Sequence, residues 1–397
     1  MRQEVLEEVI QEYGTPSYVF DLDSLRERTA RINNVLKEKG IALCYAMKAN
    51  PFLVSVLEAE TERLEVCSPG EFRICEREGI SIDKLVISGV NKEPEDIQRM
   101  VETYHGKGIF TIESQRQLEI LSGAAEKAGK PLSVLIRLTS GNQFGVEQEA
   151  AEKILAERER YPMLHFSGIQ YYSGTQKKKL SIMEKELGEL DDFCQRIKEQ
   201  IGLELKEIEY GPGFFVSYFP KETAEEEEQM LRQFCEIISQ MKFQGKITLE
   251  MGRYLAAVCG SYLTAIVERK ENAGQIFGIV DGGIHHLNYY GQTMAMKIPY
   301  VTHISTDRQK QEAGLEEKWN ICGSLCTVAD VIVKQLPLQA AAPGDVLVFE
   351  RTGAYSPMEG ISLFLSRDLP KVLFYSREQG VQLVRDKYST DSLNGRK

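Results

Sequence analysis

Tyr45-Ala46-Met47-Lys48-Ala49-Asn50 closes a short apolar run, Ile41-Ala42-Leu43-Cys44-Tyr45, bounded by Gly40 and Pro51. A short apolar run punctuated by glycine and proline reads as a buried β-strand over Ile41–Met47. A lysine at the end of such a strand costs free energy unless its charge is used or its pKa falls. Taken by itself, Lys48 reads as a side chain that snorkels to water. Its neighbours in the sequence change that reading.

Outward from this stretch, apolar runs alternate with amphipathic ones. Further strands are expected at Leu64–Cys67, Leu85–Ser88, Ile109–Ile112, Leu132–Leu138, Phe166–Tyr172, Ile208–Tyr210 and Ile247–Glu250. Helical periodicity separates them, at Glu93–Tyr104, Ser114–Lys127, Glu147–Arg160, Lys178–Gln200 and Ala224–Met241. A helix from Ser24 to Glu38, capped by Asp23 or Ser24, precedes the first of these strands. Strand then helix, repeated eight times, is what a (β/α)8 TIM barrel requires. Past Gly260 the apolar runs recur without long helices, at Tyr262–Val267, Ile276–Val280, Ile298–Val301, Trp319–Cys322, Asp330–Val333, Val346–Glu350 and Val372–Tyr375. This predicts a C-terminal, mostly antiparallel β-domain. The expected division is a barrel over 25–258, with 1–24 and 259–397 forming the β-domain. The polar tail from Asp386 reads as unstructured.

A length of 397 residues suits two such domains, and 42% hydrophobic with 27% charged residues is a globular composition. A net charge of −11 argues against a nucleic-acid partner. The N-terminus lacks the apolar segment of a signal peptide, and no run has the length of a membrane span. A cytoplasmic protein is expected. The eight cysteines sit singly, which favours reduced thiols. Cys322 and Cys326 lie four apart with no histidine or cysteine pair to complete a zinc site, so no metal is expected.

Barrel chemistry sits where the strands end. Lys48 ends the first, Cys67-Ser68-Pro69-Gly70-Glu71 follows the second, and Arg137 lies near the end of the fifth. Tyr172-Ser173-Gly174-Thr175-Gln176 follows the sixth, Gly211-Pro212-Gly213-Phe214 the seventh, and Glu250-Met251-Gly252-Arg253 the eighth. Gly211-Pro212-Gly213 lets backbone N–H groups approach an anion, and Arg253 adds a fork-shaped phosphate partner. Glu250 at a buried strand end needs a cationic or hydrogen-bonding partner, which a protonated ring nitrogen would supply. A lysine imine, a carboxylate on a pyridinium nitrogen and a phosphate cradle together describe pyridoxal 5'-phosphate.

The motifs YAMKAN, CSPGEF, YGPGF, EMGR, CGSLC and GAY occur in this order. In them the sequence resembles the fold-type III pyridoxal-phosphate decarboxylases, the diaminopimelate/ornithine decarboxylase family, over nearly its whole length. The resemblance implies an alanine-racemase-like barrel with a β-domain, and an obligate homodimer with composite active sites. It implies that Lys48 forms the cofactor aldimine and that Glu250 pairs with the ring nitrogen. Gly211, Gly213 and Arg253 would hold the phosphate, assisted by Gly174, Thr175 and Tyr355. Glu65 matches a family aspartate near the cofactor, and Arg137 an arginine beside its phenolic side. Cys326 matches the cysteine that a partner subunit contributes as proton donor.

Two positions depart from the family. Tyr172 stands where the family stacks a histidine on the cofactor, and Thr327 follows the cysteine where the family has an acid that grips a distal amine. Gly282-Gly283-Ile284-His285-His286 and Ser173-Gly174-Thr175-Gln176 look like the branch of the butirosin-pathway decarboxylase, which acts on a glutamyl group tethered to an acyl carrier protein. The His285-His286 pair reads as packing at the dimer interface. The leading expectation is an amino-acid α-decarboxylase whose substrate has a tethered or non-cationic far end. An amino-acid racemase is the alternative, although alanine-racemase relatives place an arginine where this chain has Glu250. A catalytically silent, partner-binding homologue is the third.

Overall fold

Eight parallel strands close a barrel: β2 (Ala42–Ala46), β3 (Arg63–Val66), β4 (Leu85–Ile87), β5 (Ile109–Ile112), β6 (Leu132–Leu138), β7 (Leu164–Tyr172), β8 (Glu207–Gly211) and β9 (Lys246–Met251), with β9 pairing back onto β2. Strand β1 (Ser17–Asp21) precedes them. The computed structural model describes residues 1–220, 224–306 and 315–396. Helices follow the strands, among them α1 (Gln3–Glu12) and α2 (Leu22–Lys37) before the barrel. Within it come α3 (Val54–Glu58), α4 (Pro69–Arg77), α5 (Pro94–Tyr104), α6 (Gln115–Ala128), α7 (Gln148–Ala156), α8 (Leu180–Ile201) and α9 (Ala224–Ile238).

Local chemistry explains where these helices begin and end. Ser68 accepts from the backbone N–H of Glu71 at 3.1 Å and Ser114 from that of Gln117 at 3.2 Å, so α4 and α6 both start on side-chain caps. Gly129 and Gly202 close α6 and α8 in the left-handed conformation that glycine tolerates. Helix α2 begins two residues before the expected Ser24: Asp21, not Asp23 or Ser24, accepts the backbone N–H of Ser24, at 2.9 Å.

The chain divides into two compact units, Arg28–Val216 with Ala224–Leu255, and Met1–Glu27 with Ser217–Thr223 and Ala256–Lys397. The second unit is built on a mostly antiparallel sheet. Its strands are β10 (Gly260–Asn272), β11 (Gln275–Val280), β12 (Val301–Ile304), β13 (Glu316–Cys322), β14 (Val331–Gln339), β15 (Val346–Glu350), β16 (Lys371–Ser376) and β17 (Gly380–Arg385), together with β1. The order β14-β13-β11-β10-β1-β16-β17 puts β1 near the centre, antiparallel to β10 and parallel to β16. Val5, Leu6 and Val9 of α1 cover this sheet, packing with Val19, Leu263, Val348 and Leu373. Neither α1 nor β17 was among the expected elements, because both are short and rich in polar residues.

Residues 386–396 are structured, against expectation. Leu369 and Tyr388 exchange backbone hydrogen bonds, and the buried Thr390 hydroxyl donates to the carbonyl of Arg367 at 2.8 Å. No helix among the described residues is long and apolar enough to cross a membrane.

Candidate active site

β2 stops at Ala46, one residue short of the expected strand, and Met47–Ala49 tightens into a 3-10 turn. Asn50 causes this. Its side chain caps the next turn by accepting from the backbone N–H of Phe52 at 3.1 Å, while its carbonyl accepts from the Tyr45 hydroxyl at 2.9 Å. Lys48 therefore leaves the strand direction and turns over the barrel end. Its Nζ donates to Glu65 Oε2 at 2.7 Å and to Glu250 Oε1 at 3.1 Å, with Cys67 Sγ at 3.8 Å. The register dictates this meeting. β2 lies between β3 and β9, with Ala46 opposite Glu65 and Cys44 opposite Glu250.

The lysine keeps 36% of its side-chain surface while Glu65 keeps 1% and Glu250 7%, so the amine is reachable and the acids are not. Burial opposes ionisation of Glu65, but the Lys48 ammonium and the hydrogen bonds it receives outweigh this and hold it below the usual carboxylate range. Glu250 moves the other way. Burial, then the Glu65 charge, push its pKa up despite Lys48. Of the two acids on this lysine, Glu250 is the more readily protonated.

Arg137 on β6 reaches Glu113 Oε1 at 3.3 Å, and its guanidinium lies 4.8 Å from the centre of the Phe144 ring. Its charge lowers the pKa of both Glu65 and Glu250, so it belongs to the same cluster. Tyr172 ends β7 beside them, its hydroxyl held up in pKa by burial while Lys48 and Arg253 pull it down.

Gly211 and Gly213 leave no room for a side chain. Gly213 has φ +62°, and a Cβ there would lie 1.9 Å from the carbonyl oxygen of Gly174, itself at φ +146°. Gly211 is small for a reason the sequence did not disclose: a Cβ would meet the Tyr172 ring at 2.6 Å. The cradle is braced from outside. Lys177 donates its backbone N–H to the Gly213 carbonyl at 2.9 Å. Glu186 on α8 then binds the Lys177 ammonium at 2.7 Å and the Ser173 hydroxyl at 2.5 Å. Arg253 is buried at the start of the short helix α10 (Arg253–Ala256) that follows β9.

Sequence reasoning missed three buried polar residues around this cluster, Gln170, Glu209 and Lys92, while Glu113, at the end of the fourth expected strand, lies there as a strand-end residue. Lys92 is buried and donates to the Gly89 carbonyl, Thr111 Oγ1 and Gln117 Oε1 at 3.1–3.2 Å, and burial pushes its pKa down to about 8. Glu209 offered a signal. It stands two residues from Glu207 in an otherwise apolar strand, so period-two alternation points both inward.

Cys326 and Tyr355 belong to the β-unit. Cys326 is exposed on a loop that Asp330 holds, its carboxylate accepting from the backbone N–H groups of Ile284 at 2.8 Å and Leu325 at 2.7 Å. Thr327 accepts from the backbone N–H of Ala329 at 3.3 Å. Tyr355 has φ +65°, in a turn whose carbonyl it gives to the backbone N–H groups of Met358 and Glu359. All eight cysteines are free thiols. The His285-His286 pair is not surface material for an interface. Both are buried within one chain, their rings 3.8 Å apart, with His286 bonded to the Tyr262 hydroxyl and the Asp368 carbonyl. Burial lowers both, His285 to about 4 and His286 to about 3.

The profile of the pyridoxal-dependent decarboxylases, pyridoxal binding domain, matches residues 22–257. The chain belongs to this family. It is thereby a pyridoxal-phosphate-dependent carboxy-lyase, and amino-acid decarboxylases are its relatives. It is 26% identical over 408 residues to the L-glutamyl-[BtrI acyl-carrier protein] decarboxylase of Niallia circulans, covering 96% of this chain and 93% of that one. It is 24% identical over 400 residues to the diaminopimelate decarboxylase of Campylobacter jejuni, covering 95% and 94%. The crystal structure of Helicobacter pylori diaminopimelate decarboxylase complexed with L-lysine superposes with a TM-score of 0.85, at 22% identity and 98% coverage of both chains. That of Vibrio vulnificus lysine/ornithine decarboxylase with cadaverine gives 0.81 at 21% identity, over 94% of this chain and 98% of that one. Both share the barrel-plus-sheet fold.

The residues fit pyridoxal 5'-phosphate on the structure's own terms. A glycine cradle without room for a Cβ suits a phosphate, and a reachable amine between two buried acids suits an aldehyde carbon and a ring nitrogen. Arg137 Nε and Glu113 Oε2 are buried without a hydrogen-bond partner, so the site has polar capacity to spare.

Proposed function

We propose that this chain removes the α-carboxylate of an amino acid whose far end is neutral or tethered. The observation that supports it most is the convergence of Glu65 and Glu250 on the Lys48 amine, beside the cradle of Gly174 and Gly213. In this reading Lys48 binds the cofactor, and Gly174, Thr175, Gly211, Gly213, Arg253 and Tyr355 hold its phosphate. Bound pyridoxal 5'-phosphate supplies the sink for the electron pair left when CO2 departs. Glu250 would pair as a carboxylate with the protonated ring nitrogen, Glu65 and Arg137 would fix the charge around the ring, and Tyr172 would pack on its face. Cys326, exposed on the loop that Asp330 holds, delivers the proton to the α-carbon.

The working unit in this reading is a homodimer, each site drawing Cys326 and Tyr355 from a second copy, with 25–258 as the cofactor-binding part. Eight free thiols suit a reducing, cytoplasmic setting.

The far-end assignment rests on Thr327. A buried ammonium needs a carboxylate, and Thr327 offers a hydroxyl already engaged by Ala329. The acyl-carrier-protein substrate named for the Niallia circulans relative has such a tethered end. An unpaired ammonium would cost several kcal/mol and lower kcat/KM by about a thousandfold. Free ornithine, lysine and diaminopimelate should be turned over weakly, and a carrier-tethered or neutral-ended amino acid well. Steady-state kinetics on these substrates is the test. A kcat/KM above about 10^4 per molar per second on any of the three free diamino acids would remove the far-end assignment while leaving the decarboxylation itself in place.

A further inference from the structure

Barrel interiors are ordinarily filled with layers of branched apolar side chains. Here the layer beneath Glu250 is polar. Gln170 on β7 sits opposite Glu209 on β8 in the parallel register. The Gln170 amide donates through Nε2 to Glu209 Oε1 at 2.8 Å, and the same nitrogen lies 3.4 Å from Glu250 Oε2 and 3.3 Å from Ser88 Oγ. Gln170 keeps 1% of its surface and Glu209 none. The amide therefore bridges two buried carboxyl groups, and it faces both with its donor end.

The two acids differ in the cations they see. Glu250 has Lys48 Nζ at 3.1 Å and the Arg137 charge nearby. Glu209 has only Arg63 Nη1 at 3.6 Å, and that guanidinium makes a closer ion pair with Glu207. Cys44 of β2, Glu207 on its own strand and Glu250 of β9 complete the titratable groups facing Glu209. Around Glu250 stand Lys48, Glu65, Arg137, Tyr172, Cys44 and Cys67. Two adjacent carboxylates cannot both ionise cheaply in a buried site. Both cations are shared, Lys48 with Glu65 and Arg63 with Glu207, but the one on Glu250 stands nearer, and so Glu250 takes the charge.

We infer that Gln170 and Glu209 are positioning residues for Glu250: Gln170 fixes its Oε2 oxygen from below, leaving Oε1 to the ligand side, and Glu209 stays neutral so that Glu250 can carry the negative charge. This rests on the reading that Glu250 pairs with the cofactor ring nitrogen. Burial, then the Glu250 charge, push the Glu209 pKa up to about 8, in keeping with an acid that yields the charge to its neighbour. A neutral Glu209 removes a repulsion from anionic Glu250. Ionised Glu209 would restore it and draw the shared proton from the ring nitrogen onto Glu250.

The test uses the full-length protein loaded with ring-15N-labelled pyridoxal 5'-phosphate. The nitrogen shift tells pyridinium from pyridine, and cofactor dissociation constants are measured by equilibrium dialysis. Wild type should give a pyridinium signal at pH 7 that moves towards pyridine as Glu209 ionises. Glu209→Gln should keep the pyridinium signal across that range, with affinity at pH 7 within about twofold of wild type. Gln170→Met, which keeps volume without a donor, should move the signal towards pyridine already at pH 7 and weaken cofactor binding about tenfold. Unchanged signals in both variants would overturn the inference, as would a Glu209→Gln protein that loses the pyridinium signal. Glu250→Gln separates the underlying reading. If it too leaves the wild-type signal, the ring-nitrogen pairing is wrong; if it alone moves the signal, only the role of Gln170 and Glu209 falls.

Discussion

Gly213 and Gly174 approach so closely that a Cβ on Gly213 would stand 1.9 Å from the Gly174 carbonyl oxygen. The contact is backbone on one side, so nothing flexible can yield. Gly213 also has φ +62°, where a side chain adds strain. Gly213→Ala should therefore push apart the two loops that form the cradle. The expected result is at least a tenfold weaker dissociation constant for pyridoxal 5'-phosphate with the barrel still folded, checked by dialysis and circular dichroism. Gly202→Ala, with nothing within 4 Å of its Cβ but a similar φ of +69°, controls for strain alone and should leave the affinity near wild type.

The buried acid Glu209 makes a pH prediction for the cofactor-free protein. Its pKa is about 8 when folded, against 4.5 for an exposed glutamate. The folded state thus binds more protons than the unfolded one between these values, and stability falls as pH rises through that window. Glu209→Gln has no such titration. Its stability relative to wild type should rise by about 2–4 kcal/mol between pH 5 and pH 8.5, read from urea unfolding at several pH values. A constant difference would mean that Glu209 is ionised throughout.

Much of this was legible in the sequence and some was not. Lys48, the two glycine turns and Arg253 stand out because glycine clusters and buried-strand charges break local rules. The pairing of Glu65 with Glu250 did not, since they are 185 residues apart and meet only because β9 closes onto β2. Gln170 was hidden for the same reason: a glutamine in a strand acquires meaning only from the register that sets it opposite Glu209. Helix α1 was passed over because its apolar face is three residues, Val5, Leu6 and Val9, among glutamates. The His285-His286 pair was read as packing and is packing, but in the interior of one chain rather than at an interface, a placement the sequence could not give.

The shared-site reading predicts complementation between two inactive proteins. Lys48→Ala lacks the amine in the barrel, and Cys326→Ala lacks the thiol in the β-unit. After subunit exchange, half of the dimers are hybrids and each hybrid has one intact site. Activity should return to about a quarter of wild type. No activity despite verified exchange would place both residues in one chain's site.

The most direct measurement is the position of the cofactor bond. The purified holoprotein, reduced with borohydride and digested, should carry the pyridoxyl group on the peptide containing Lys48, and on that lysine alone. Lys48→Ala should carry none and lose the visible absorbance. A pyridoxyl group on Lys92 or Lys177, the buried lysines near these strand ends, or on any lysine but Lys48, would contradict the account.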